Sequence, residues 1–146
     1  MLRPSIATAA TRAAVIAPLL YMALLHALSS IPGVAQGDDP LDVRVFVWLA
    51  PELQNLLHIP AYALLAWVWC WSLPAWGPSR AVIMIAAVVL AGLFGLVDEW
   101  HQTFVPGRYG SATDLALDLL GAILGVWLAS RVLLPSGRMS ATTHRV

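Results

Sequence analysis

The sequence predicts an all-α, polytopic membrane protein: four transmembrane helices in a bundle, with both termini cytoplasmic. Three observations carry that prediction. Hydrophobic residues make up 60% of the 146-residue chain and charged residues 11%. A soluble domain carries roughly 25% charged residues, and a chain this short cannot hide so much apolar surface in a water-facing fold. Four apolar segments reach or approach the ~20 residues that cross a hydrocarbon core of ~30 Å. Finally, the arginines are divided unevenly between the two ends of those segments.

The first segment covers about 13–28. Gly33-Val34-Ala35 could pass as a cleavage site, which makes a signal peptide the alternative there. The apolar run is longer than a usual signal core, and cleavage would leave the orientation of the rest unchanged. The stretch 33–40 breaks the pattern with glycine and proline and reads as a loop. The second segment covers about 54–73 and stops at Trp76-Gly77-Pro78. The third covers about 81–97, its helix continuing toward Phe104, and the fourth about 115–134. Residues 1–134 are expected to form one membrane domain, and 135–146 a disordered cytoplasmic tail.

Orientation follows from the arginines, since cytoplasmic loops collect positive charge. Arg3, Arg12, Arg80, Arg131, Arg138 and Arg145 fall on one side of a four-span chain, Arg44 and Arg108 on the other. The acids Asp38, Asp39, Asp42, Glu52, Asp98, Glu99, Asp114 and Asp118 all join the second pair. That side faces outward. Trp48 and Trp100 suit the outer interface, and Trp71, Trp76 and Trp127 the inner half.

Two classes are excluded early. The net charge is zero, and nucleic-acid binding wants a basic surface. Cys70 is the single cysteine, so neither an internal disulfide nor a cysteine-rich zinc site is possible. It reads as a small buried hydrophobe.

The unusual feature is charge at the outer ends of apolar helices. Gln54, His58 and Tyr62 are four apart and share one helix face. The third segment ends "DEWHQ", where Asp98 faces with His101 and Gln102, and Glu99 with Gln102. Asp114, Asp118, Gly121 and Gly125 make one stripe on the fourth. The two glycines permit close helix approach, and Ala87, Ala91 and Gly95 give the third segment a similar small face. Ionisable groups at membrane depth face a bundle interior or a wet cavity, so the stripes are expected to pack together. The Pro106-Gly107 turn lies over them and brings Arg108 onto the carboxylates or onto an anionic ligand. Asp114 also suits a helix N-cap, and Ser111 reads as a loop or cap residue rather than a nucleophile. His26 is read as packing, or as a hydrogen bond to Ser29 or Ser30.

His58-x-x-x-Tyr62, "DEWHQTFVPGR" and "DLALDLLGAILG" together resemble the VanZ-like family of small bacterial membrane proteins. That family is named for a protein linked to resistance to the glycopeptide teicoplanin. The similarity runs over about 54–130. Glu99, Gln102, Arg108 and Asp114 stand on its signature positions, Asp118 where it shows Asn or Asp, and Gly121 and Gly125 on its glycines. His58 matches a histidine on an earlier span. Relatives often carry an Asp-Lys pair just before that histidine; Gln54 and Asn55 stand there, so no role needing that lysine carries over. The resemblance implies a four-helix protein of the plasma membrane and no particular reaction.

The expected site takes an anionic lipid or a lipid-linked envelope precursor at the outer face. Arg108, Gln102, His101, Asp114 and Tyr62 would hold it. Glu99, His58 and Asp118 would carry any acid–base chemistry, with Pro106, Gly107, Gly121 and Gly125 structural. No nucleophile elbow, phosphate loop or H-E-x-x-H motif is present. No cofactor is assigned. A metal held by Asp98, His101, Asp118 and His58 rests on the weak Asp-x-x-His motif, and none is assigned. The rival is a non-enzymatic scaffold for an envelope enzyme or transporter, the polar cluster fixing the bundle. A proton-coupled transporter is disfavoured, because no acids continue into the cytoplasmic half.

Overall fold

Alanine- and leucine-rich segments, punctuated by serine caps and glycine turns, fold as helices. The computed structural model describes residues 13–33 and 55–134. Among them there is no strand. The four α-helices are α1 (Ile16–Ser29), α2 (His58–Ser72), α3 (Arg80–Gln102) and α4 (Ala112–Val132). A 3-10 turn, Ala13–Val15, leads into α1, and another, Leu73–Trp76, prolongs α2. Gln54, Trp48, the arginines at 3, 12, 44, 138 and 145, the acids at 38, 39, 42 and 52, and the tail 135–146 lie outside the described residues.

Helix ends follow local chemistry. Gly77 adopts φ 74°, a left-handed conformation that stops the α2 extension. Ser79 then caps α3, its side chain accepting from the Val82 amide at 3.4 Å. α3 runs on to Gln102, five residues past the apolar run that ends at Val97. α4 starts earlier than expected, at Ala112, because Ser111 is its N-cap and accepts from the Asp114 amide at 3.2 Å. Asp114, expected as a cap, is instead in the first turn, where its charge meets the positive end of the helix.

The pattern of polarity is inside out. On α3, Asp98 and Glu99 are 4% and 6% exposed, whereas Leu96 and Trp100 are 54% and 66% exposed. Leu120, Ile123, Leu124 and Trp127 are likewise exposed on α4, and Asp118 fully buried. Water-facing proteins almost never bury acids and expose leucines in this way; a lipid solvent requires it. α3 and α4 are each long and apolar enough to cross a membrane. α1 and α2 are shorter, at 14 and 15 residues.

α2, α3 and α4 pack on one another, and α1 leans on α2 and α3. Tyr62, Leu65, Ala66, Trp69 and Cys70 of α2 meet Ile83, Ala87, Ala91 and Phe94 of α3 and Ala122, Val126 and Ala129 of α4. α2 and α4 touch backbone to backbone. A side chain at Gly121 would collide with the backbone of Ile59, and one at Gly125 with that of Ala63. This contact sets the first turn of α2 beside the second and third turns of α4. His58 and Asp118 stand there.

Candidate functional site

The site lies where the C-terminal ends of α1 and α3 meet the N-terminal ends of α2 and α4. Its polar groups separate into two clusters.

Asp98 organises the first, on the α1 side. Its Oδ1 accepts from Ser29 Oγ at 2.6 Å, and its Oδ2 from Gln102 Nε2 at 3.1 Å. His26 Nδ1 is 3.5 Å from the same Oδ1. The His26 and His101 rings are 4.2 Å apart, and His101 Nε2 is 3.0 Å from Ser30 Oγ. Both oxygens of Asp98 therefore have partners.

The second cluster joins α2, α3 and α4. His58 Nδ1 is 2.7 Å from Asp118 Oδ1. Glu99 Oε2 accepts from the Ser111 amide at 2.5 Å. One ligand-type atom from each of His58, Glu99 and Asp118 lies within 4.8 Å of the other two. Glu99 Oε1, Asp114 Oδ1 and Asp118 Oδ2 are buried without a hydrogen-bond partner among the described residues. Tyr62 stacks near His58, with ring centroids 6.2 Å apart and planes at 6°. Asp118 Oδ2 lies toward Gly95, where a Cβ would come within 2.8 Å of it, so the small face of α3 makes room for this carboxylate.

The turn closes over both clusters. Arg108 N–H donates to the Val105 carbonyl at 3.0 Å, and Gly107 has φ 75°. Proline followed by a left-handed glycine is the type II β-turn pattern. Gly33 N–H donates to Pro106 O at 3.0 Å, and Arg108 Nε to Ile31 O at 2.9 Å. The chain leaving α1 is thus bonded to the turn and to Ser29's partner Asp98. Arg108 makes no ion pair with a carboxylate among the described residues; the carbonyl of Ile31 positions its guanidinium instead.

A cavity of about 180 Å³ opens between these groups. Arg108, His58, Asp98, Gln102 and Asp114 provide polar lining, and Leu25, Leu28, Leu57 and Ala61 an apolar wall. Tyr62 also lines it. Of the residues expected at the site, His58, Tyr62, Gln102, Arg108 and Asp114 surround this cavity, while Glu99 and Asp118 adjoin it through His58. His101 sits apart, facing α1. Gln102 bonds Asp98 rather than Glu99. Ser29 and Ser30 do bond His26, but through its backbone carbonyl, at 3.0 and 2.7 Å. Sequence reasoning missed Ser29 as the partner of Asp98 and the leucine wall from α1. The signal for Ser29 was present: a serine at the end of an apolar helix stands at the same depth as the acid.

These features define a helical membrane protein with a half-enclosed polar site at one end of its bundle. Residues 4–134 match the family described as VanZ/LLP1, and the chain belongs to that family. The match takes in the first segment as well as the motif-bearing stretch. Neither a curated protein nor a solved structure matches the chain.

Proposed function

We propose that the protein crosses the plasma membrane four times, with both termini cytoplasmic, and binds the anionic head group of a lipid or lipid-linked envelope precursor at its outer face. Lengths support four crossings. α2 with its 3-10 extension spans roughly 30 Å at ~1.5 and ~2.0 Å per residue, and α1 with its leading turn only slightly less. The arginine asymmetry supports the orientation.

The cavity is the observation that carries the binding reading. One wall is leucine and the other holds Arg108 and His58 together with Asp98 and Asp114, so apolar and charged faces stand opposite each other as an amphiphile requires. Its volume, about 180 Å³, is below the roughly 300–1,000 Å³ of a site that engulfs a whole drug-sized ligand. It therefore suits a head group whose chains stay in the bilayer. Arginine's planar fork suits phosphate or carboxylate. Glu99, His58 and Asp118 stand next to that head group and can exchange protons with it, which is the basis for any reaction. Membership in the family supports a role in the envelope and in glycopeptide tolerance.

Native mass spectrometry of the detergent-purified chain tests this, followed by lipid extraction. Wild type is expected to retain a defined anionic lipid that folded Arg108→Ala loses. Equal retention by both, or by neither, overturns the binding reading. Retention by neither favours the scaffold alternative, a protein that braces an envelope enzyme or transporter.

A further inference from the structure

Buried carboxylates need compensation. An uncompensated charge in a low-dielectric interior is strongly unfavourable. Asp98 has its hydroxyl, amide and imidazole neighbours. Glu99 and Asp118 do not match it: each keeps one buried oxygen without a partner among the described residues, at 6% and 0% exposure. They stand close to each other and to His58, and two carboxylates this near repel unless a proton or a cation lies between them.

We propose that His58, Glu99 and Asp118 form the protein part of a binding site for one divalent first-row transition-metal ion. The donor set is one imidazole nitrogen and two carboxylates from three different helices. That mixture suits Zn²⁺ or Mn²⁺ better than Ca²⁺ or Mg²⁺, which prefer oxygen throughout. Three protein ligands leave at least one position open, as in catalytic sites.

The geometry is near what a metal asks. Donors about 2.1 Å from one ion lie roughly 3.0–4.2 Å apart, depending on the angle between them. The three side chains already offer atoms within 4.8 Å of one another, so side-chain rotations that draw them roughly 1–1.5 Å closer complete the set. The 2.7 Å between His58 Nδ1 and Asp118 Oδ1 is a hydrogen bond, shorter than the spacing of two ligands on one ion, so the pair opens slightly as the ion enters. Without the ion, a proton on His58 Nδ1 fills that gap. Binding the cation displaces this proton to solvent, and both groups become ligands.

The site differs from the Asp-x-x-His set visible in the sequence. Asp98 and His101 belong to the α1 cluster and take no part. His58 also lines the cavity, so the ion would stand at its edge. The inference does not depend on the lipid reading, but it removes a difficulty in it. Asp98 and Asp114 line the cavity with Arg108, and Glu99 and Asp118 adjoin it; a divalent cation held by the last two offsets their charge beside an anion.

The test uses the full, untagged chain in detergent, stripped with chelator and then titrated with Zn²⁺ and separately with Mn²⁺, with no lipid added. Bound metal is counted after desalting. Wild type, His26→Ala and His101→Ala are expected to hold one ion per chain. His58→Gln and Glu99→Gln are expected to bind at least about tenfold more weakly. Should either variant fail to fold, pulsed electron paramagnetic resonance of Mn²⁺-loaded wild type reads the ligands directly, and coupling to one imidazole nitrogen is expected. Absence of a stoichiometric ion, undiminished binding in folded His58→Gln and Glu99→Gln, loss of binding in His26→Ala, or Mn²⁺ without nitrogen coupling would each overturn the proposal. Lipid retention in the Arg108→Ala comparison is a separate readout, so either reading can fail while the other stands.

Discussion

Glycine-to-alanine substitution tests the contact that aligns His58 with Asp118. Three helical glycines give different answers. At Gly125, an added Cβ would lie 2.7 Å from both the carbonyl carbon and the Cα of Ala63, and closer still to its oxygen. At Gly121 it would lie 3.0 Å from Ile59 Cα. At Gly92 it would meet Leu119 Cδ2 at 2.8 Å, the far end of a side chain that can turn away. Alanine is favoured over glycine in a helix by about 1 kcal/mol. Overpacking against backbone costs about 1–3 kcal/mol, because α2 and α4 must part by roughly 0.9 Å at Gly125 to restore a ~3.6 Å carbon contact. The clash wins at Gly125 and Gly121, for a net loss of up to about 2 kcal/mol each; at Gly92 propensity wins. The double variant should lose less than the sum, since one separation of the helices relieves both clashes. Unfolding midpoints in detergent, followed by tryptophan fluorescence, give the ranking. If Gly121→Ala or Gly125→Ala unfolds at or above Gly92→Ala, the backbone contact between α2 and α4 is not as described.

Two serines distinguish scaffold from site. Ser29→Ala removes the 2.6 Å bond to buried Asp98 and should cost about 1–3 kcal/mol by leaving an acceptor unpaired; the same change in an Asp98→Asn background should cost measurably less, as a double-mutant cycle in thermal unfolding would show. Ser111→Ala removes the α4 cap and should cost about 0.5–2 kcal/mol, yet lipid retention should persist in the folded fraction, because the bond to Glu99 comes from the backbone amide. Loss of retention in folded Ser111→Ala would give the hydroxyl a direct role.

Apolar periodicity and capping chemistry made the helices legible in advance. The stripe of Asp114, Asp118, Gly121 and Gly125 is buried along one face of α4 as its spacing requires, and Pro106-Gly107 makes the expected turn. Spacing along a helix says which residues share a face, but not which neighbour that face meets. Hence Gln102 was free to be paired with Glu99 or Asp98, and packing chose Asp98. His101 follows the α1 side for the same reason. The start of α4 was misplaced because an acid at position 114 and a serine at 111 both suit an N-cap, and only the backbone turn after Arg108 decides between them. The leucine wall of the cavity needs the position of α1, which no local pattern encodes.

The two clusters argue differently about what buried charge is for. An acid kept only to lock a bundle gains from having every lone pair bonded, since a half-satisfied network is less favourable than an apolar one. Asp98 meets that condition, with Ser29 from α1 and Gln102 from its own helix. Replacing its partners should therefore be read as a stability effect. Glu99, Asp114 and Asp118 each retain a buried oxygen without a hydrogen-bond partner among the described residues. Buried unsatisfied groups are rare in native proteins, and each asks for an explanation. Glu99 and Asp118 each bring a ligand-type atom close to one of His58, and Asp114 lines the adjoining cavity. A purely structural cluster leaves that convergence unexplained. A site that completes its bonding with a cation, and through the cavity with an anionic head group, accounts for both the missing partners and the placement of Arg108 beside buried acids.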